Sequence, residues 1–117
     1  MDADHASRLA REWLSAWNRH DVDAILAHYA EPLAFTSPLV VKRLGRADGT
    51  IRSLAELREY VRMGLQASPD LRFELLECLL GVDSLCLYYR NHRGQHVAEV
   101  LHLGPDGRIH QVHVHYS

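Results

Sequence analysis

The sequence predicts an α+β domain, with helices packed on one face of a strongly curved antiparallel sheet. Three observations carry that reading. A Trp-rich helical segment comes first, Arg11-Glu12-Trp13-Leu14-Ser15-Ala16-Trp17-Asn18. From Leu71 to Tyr116 the chain then reads almost entirely as strands. Each break between those strands holds the Gly, Pro or Asp that tight antiparallel connections need. Helices followed by a run of strands are the pattern of helices segregated to one side of an antiparallel sheet.

The first helix is predicted over Asp4–Asn18, with Leu9, Trp13, Ala16 and Trp17 at helical spacing on one side. Arg19-His20-Asp21 breaks it, and Asp21 is an N-cap for a second helix, Val22–Tyr29, whose apolar side is Ile25, Leu26 and Tyr29. Pro32 ends that helix. Leu33–Ser37 is a short strand, after which Pro38 limits pairing. Leu39–Leu44 and Arg46–Arg52 read as a small hairpin with Asp48-Gly49 at its tip. Ser53, with Glu56 three residues on, opens a third helix whose buried stripe is Leu57, Tyr60, Val61, Gly64 and Leu65. Four strands complete the sheet: Leu71–Leu80, Leu85–Asn91, His96–Leu103 and Arg108–Tyr116.

The 117 residues are one domain of ordinary size, and 47% hydrophobic residues supply a core. A formal net charge of −2 gives no attraction to nucleic acid or anionic lipid. No apolar run approaches a membrane span. The acidic, polar start Met1-Asp2-Ala3-Asp4-His5 is not a signal peptide, so the expected compartment is the cytoplasm. With a turn at Gly81–Ser84, Cys78 and Cys86 point to different faces of the sheet and read as free thiols.

Two stretches, Trp17-Asn18-Arg19-His20-Asp21-Val22-Asp23-Ala24-Ile25 and Tyr29-Ala30-Glu31-Pro32-Leu33-Ala34-Phe35, and the ending Glu99-Val100-Leu101-His102-Leu103 with Asp106-Gly107-Arg108-Ile109, carry a family resemblance. In their order and spacing the chain resembles the nuclear transport factor 2-like superfamily, on its SnoaL-like and ketosteroid-isomerase-like branch. The resemblance covers essentially the whole chain. It implies a cone-shaped, cystatin-like roll of three helices on the sheet, a cavity between the layers, and a homodimer formed through the outer sheet face. The scaffold hosts isomerases, cyclases, hydrolases, dehydratases, transport factors and plain binding modules.

Ketosteroid isomerases use a carboxylate base and an oxyanion hole of a tyrosine and a protonated aspartic acid. By the resemblance, the base position is Ser37, the oxyanion tyrosine is Trp13 and the protonated acid is Glu99, while Tyr29 and Tyr60 retain two supporting tyrosines. A serine hydroxyl does not act as that carboxylate, and an indole N–H donates without exchanging a proton usefully. Steroid-isomerase chemistry is therefore not expected.

Glu99 is the candidate catalytic residue. Turns at Arg93-Gly94 and Pro105-Asp106-Gly107 set Tyr88 and Val112 opposite it. Alternation then sends Val97, Glu99 and Leu101 inward with Val112, Val114 and Tyr116. A carboxyl in that setting is desolvated and its pKa rises. It serves as a general acid or base or anchors a ligand donor; alternatively it is a structural carboxyl bonded to Tyr88, Tyr29 or water.

Trp13, Trp17, Tyr29, Phe35, Ser37, Tyr60, Met63, Tyr88, Val112, Val114 and Tyr116 are the candidate ligand-binding residues. The aromatics among them read either as cavity wall or as filled core. Of the nine histidines, His96, His102, His113 and His115 share the face opposite Glu99. They suit a dimer or solvated surface better than a zinc site, for which no Cys or carboxylate spacing is present. His110 is a proton carrier at the pocket edge or an exposed strand-end histidine. Lys42, Arg43, Arg46 and Arg52 form a basic segment, either solvated or closing over an anionic ligand. The expected function is binding of a small apolar or aromatic molecule, with isomerase-, cyclase- or dehydratase-like proton transfer at Glu99 and no metal or organic cofactor. The rival is a non-catalytic binding or dimerisation module with a packed cavity.

Overall fold

The computed structural model describes residues 1–117. Helix α1 spans Ala3–Asn18, capped by Asp2, whose carboxylate accepts from His5 N at 2.8 Å. His20 adopts a left-handed backbone (φ 57°) and ends the turn out of α1. Asp21 caps the short helix α2, Val22–Leu26, by accepting from Ala24 N at 3.0 Å. Strand β1 (Tyr29–Thr36), helix α3 (Pro38–Leu44), strand β2 (Thr50–Ile51) and helix α4 (Leu54–Ala67) follow. Strands β3 (Glu74–Leu80), β4 (Ser84–Arg90), β5 (His96–Leu103) and β6 (Ile109–Tyr116) close the chain.

The α+β class and the curved sheet hold, with four helices in place of three. The added helix is α3, in the segment read as one arm of a hairpin. Ser37 caps it, accepting from Leu39 N at 3.2 Å; Pro38 occupies its first turn; Gly45, at φ 66°, ends it in the left-handed conformation. Proline at the start and glycine just past the end suit a helix better than a strand. Asp48-Gly49 does form a turn, but the strand after it pairs with β1, through Phe35–Ile51 and Thr36–Thr50. Helix α2 stops at Leu26, so Tyr29 opens the first strand and Pro32 lies within it.

The six strands run in the order β2-β1-β6-β5-β4-β3. All neighbours are antiparallel except β1 and β6, which are parallel, so the sheet is mixed. One face carries the core residues Leu85, Leu87, Val97, Leu101, Val112 and Phe35, and meets the apolar sides of α1 and α4, including Leu9, Trp13, Leu57 and Val61. The other face carries Cys86, Tyr88, His96, His102, His113 and His115, none of them fully buried. Cys78 pairs with inward-facing Leu87 and Cys86 with Leu79, so the thiols lie on opposite faces, and both are free. No helix is long and apolar enough to cross a membrane.

Candidate active site

The middle of β5 sets the site. Glu99 pairs with Leu87 on β4 and Val114 on β6, and alternation sends its side chain to the helix-covered face. It is 4% exposed. The residue bonded to it is Tyr89, whose hydroxyl donates to Glu99 Oε1 at 2.7 Å. Burial pushes the carboxyl up from 4.5 to about 7, and the Tyr89 hydroxyl, which favours the ionised form, opposes that rise. Tyr89 is itself held well above its ordinary value, first by burial and then by the nearby Glu99 charge.

Tyr88 is not the partner expected. It pairs with Ala98, turns to the outer face and bonds His96 Nδ1 at 3.0 Å. The reason is the β4–β5 turn. Asn91 Oδ1 accepts from both Arg93 N and Gln95 N at 3.0 Å, and Asn91 N donates to Gln95 O. That turn pairs Arg90 with His96, one residue away from the register a turn centred on Arg93-Gly94 gives. A one-residue shift exchanges the two faces of β4, so Tyr89, not Tyr88, looks inward. The Asn at the start of the turn is the signal that locates it.

Glu99 lies on the wall of a cavity of about 100 Å³, well above the roughly 10–15 Å³ that one water needs. Trp17, Phe35, Ser37, Tyr60, Val114 and Tyr116 line it, as do Leu39, Phe73, Tyr89 and Val97. Arg43 of α3, Gly64 of α4 and Asn91, His92, Arg93 and Gln95 of the β4–β5 turn line it as well.

Four further candidates fall elsewhere. Trp13 is fully buried behind the cavity, and its indole N–H donates to the Tyr29 hydroxyl at 3.1 Å. Both residues are therefore core supports, the filled-core alternative. Burial holds the Tyr29 hydroxyl well above its usual range. Val112 pairs with Leu101 and is packed in the core, because a bulge between His102 and Leu103 lengthens the last turn. Met63 is 41% exposed, on the outer side of α4.

Phe73, missed in the sequence, closes one side. Its ring lies 4.5 Å from Tyr89 and 5.6 Å from Trp17, centroid to centroid. Asn18 pins its backbone, donating to Phe73 O at 2.9 Å and accepting from Phe73 N at 2.7 Å, while His20 Nε2 bonds Leu71 O. The polar break after α1 thus fixes an aromatic wall 55 residues away. His110 faces away from the cavity, bonding Pro32 O at 2.9 Å and Asp106 at 3.0 Å. These bonds raise its pKa, the Pro32 carbonyl first.

Ser37, Tyr60 and Tyr116 also line the cavity. Burial pushes Tyr60 up to about 12 and raises Tyr116 as well, and the Glu99 charge adds to both, while the Ser37 hydroxyl and the Arg43 charge oppose both shifts. The steroid-isomerase positions are thus occupied differently: Ser37 caps α3, and the Trp13 N–H is spent on Tyr29.

Helices on a curved mixed sheet, with one buried carboxyl on the wall of a largely apolar cavity, define a small α+β roll with an enclosed site. The chain belongs to the SnoaL-like domain family, whose model matches residues 10–114. A SnoaL-like protein of unknown function from Burkholderia thailandensis is 40% identical, with a TM-score of 0.96 over 99% of this chain and 97% of that one. A candidate isomerase of the SnoaL-like family from Agrobacterium tumefaciens is 18% identical, with a TM-score of 0.77 over 97% and 98% of the two chains. A candidate polyketide cyclase from Sinorhizobium meliloti is 12% identical, with a TM-score of 0.75 over 92% and 94%. At those identities the last two show the shared fold. No curated protein matches the chain.

Proposed function

We propose that the cavity binds a small, mostly apolar molecule and that Glu99 moves a proton on it, in an isomerase-, cyclase- or dehydratase-type reaction. One observation carries this reading: a carboxyl buried on an apolar cavity wall, with one oxygen held by Tyr89. A carboxyl near pKa 7 is half ionised at neutral pH. It takes a proton from a carbon acid as carboxylate and returns it as acid, to another carbon in an isomerisation or to a leaving hydroxyl in a dehydration. The Tyr89 bond fixes the side chain and leaves the second oxygen for the substrate. The aromatic walls exclude water and sustain the raised pKa.

A panel of simple carbon acids provides the test. Neutral enolisable ketones of a single ring are screened for binding by thermal shift, and binders are followed in deuterated water for exchange at the carbon next to the carbonyl. Glu99→Gln is expected to slow that exchange by about a hundredfold or more. Binding with exchange unchanged in Glu99→Gln refutes the proton-transfer role and favours the binding-module reading. A panel without a single binder refutes the ligand cavity.

We infer further that two copies pair through the outer sheet face, in the cytoplasm. Leu79, Cys86, Val100 and His113 form a row across four strands on that face, with Leu79 49% exposed. A row of three apolar residues and one histidine on an open sheet suits a self-complementary two-fold contact. The free thiols suit a reducing compartment.

A further inference from the structure

Two arginines line the cavity, Arg93 on the exposed turn and Arg43 at the end of α3. Seven arginines pair with no carboxylate; Arg8, Arg11, Arg62, Arg72, Arg93 and Arg108 are exposed, and Arg43 alone is half-buried, unlike Arg46 and Arg58, which are half-buried and paired. A guanidinium that loses water without gaining an anion is electrostatically incomplete.

The fold makes room for it. Gly64 sits inside α4, where glycine weakens a helix. A Cβ at position 64 would stand 2.7 Å from Arg43 Nη1. The glycine therefore serves space, as a seat that lets the guanidinium lie against α4 at the cavity wall. Tyr60 and Tyr116 line the same cavity as Arg43, and the charges of Arg43 and Glu99 both act on their hydroxyls. His92, also on the wall, has both ring nitrogens buried without a hydrogen-bond partner. The sole carboxylate on the wall, Glu99, responds to burial and to Tyr89, not to Arg43. The cavity thus holds an unpaired cation among hydroxyl donors, together with one carboxyl that the cation does not bond.

We propose that the cavity takes a carboxylic acid: an apolar molecule whose carboxylate rests on the Arg43 guanidinium, with its apolar body along the aromatic wall that carries Glu99. This rests on the ligand-cavity reading above and names the substrate class. The planar fork of a guanidinium matches a carboxylate in two parallel hydrogen bonds. A doubly charged phosphate fits less well, since a second anion, Glu99, shares the enclosure.

The experiment measures calorimetric affinities of 4-phenylbutyrate, 2-naphthoate and decanoate against their primary amides, which match them in size but carry no charge. The acids are expected to bind the wild type about tenfold tighter than the amides or better. Arg43→Gln erases that preference and Arg43→Lys keeps part of it. Gly64→Ala, which crowds the seat, lowers the preference while raising the melting temperature, because alanine favours the helix. Equal binding of acid and amide by the wild type, or an undiminished preference in Arg43→Gln, overturns this inference and leaves the ligand cavity intact. A preference unchanged in Gly64→Ala overturns the seat. Failure of all six compounds to bind overturns both readings.

Discussion

Replacing Glu99 with Gln exchanges a buried carboxyl for a neutral group of almost the same shape, and the Gln carbonyl still accepts the Tyr89 hydroxyl. The variant isolates ionisation from packing. In the unfolded chain the carboxyl titrates near 4.5; in the fold, burial raises it to about 7. Below 4.5 both states hold the proton and the side chain contributes fully. As pH rises towards 7 the unfolded chain releases its proton first, so unfolding becomes progressively easier, and above about 7 the loss is complete. A rise from 4.5 to about 7, at about 1.36 kcal/mol per pKa unit, puts the loss at about 3 kcal/mol. Urea denaturation of wild type and Glu99→Gln at pH 5, 6, 7 and 8 measures it, since every other titrating group is common to both. The two proteins are expected to be similarly stable at pH 5, with the variant ahead by about 3 kcal/mol at pH 8. Parallel curves across that range, with a difference under about 1 kcal/mol at every pH, refute the desolvated carboxyl and the proton-transfer role built on it.

Two further outcomes are expected. Trp13→Phe removes the N–H that satisfies the buried Tyr29 hydroxyl and part of a fully buried ring; it costs about 2–3 kcal/mol in denaturant titration, and wild-type stability refutes the support role. Leu79→Lys on the outer face converts a dimer to a monomer by light scattering after size exclusion; a wild type that is already monomeric at tens of micromolar refutes the paired face.

Much of this fold is legible because burial and local geometry agree. In β4 and β6, alternation of apolar and polar residues largely matches which face is covered. In β5, two-residue spacing from Val97 and Leu101 places Glu99 inward, although Ala98 and Val100 leave the other face apolar too. Helix α4 is readable from Ser53, which accepts from Glu56 N at 3.2 Å, although the Glu56 side chain bonds Arg46 in place of returning to the cap. Helix α3 is harder, since Leu39-Val40-Val41 suits a strand by composition. Only the serine and proline before it and the glycine after it favour a helix. The parallel pairing of β1 with β6 is a non-local choice that no short window of residues contains. The Tyr88–Tyr89 choice turned on a single residue of turn length. Phe73 joined the site through contacts between elements far apart in the chain, which periodicity does not register. Arg43 was legible as part of a basic segment, but not its approach to Gly64 across two helices.

The Asn91–Gln95 turn places four residues of a single connector on the cavity lining, while Glu99 and Tyr89 sit within the strands it joins. Part of the lining and the reactive pair therefore occupy different grades of structure. The hairpin tip is free to change its side chains, but not its length, because one residue more or less would turn Tyr89 away from the carboxyl. A lineage built on this scaffold is able to exchange guests by rewriting the side chains of one connector and keep its acid–base pair unaltered.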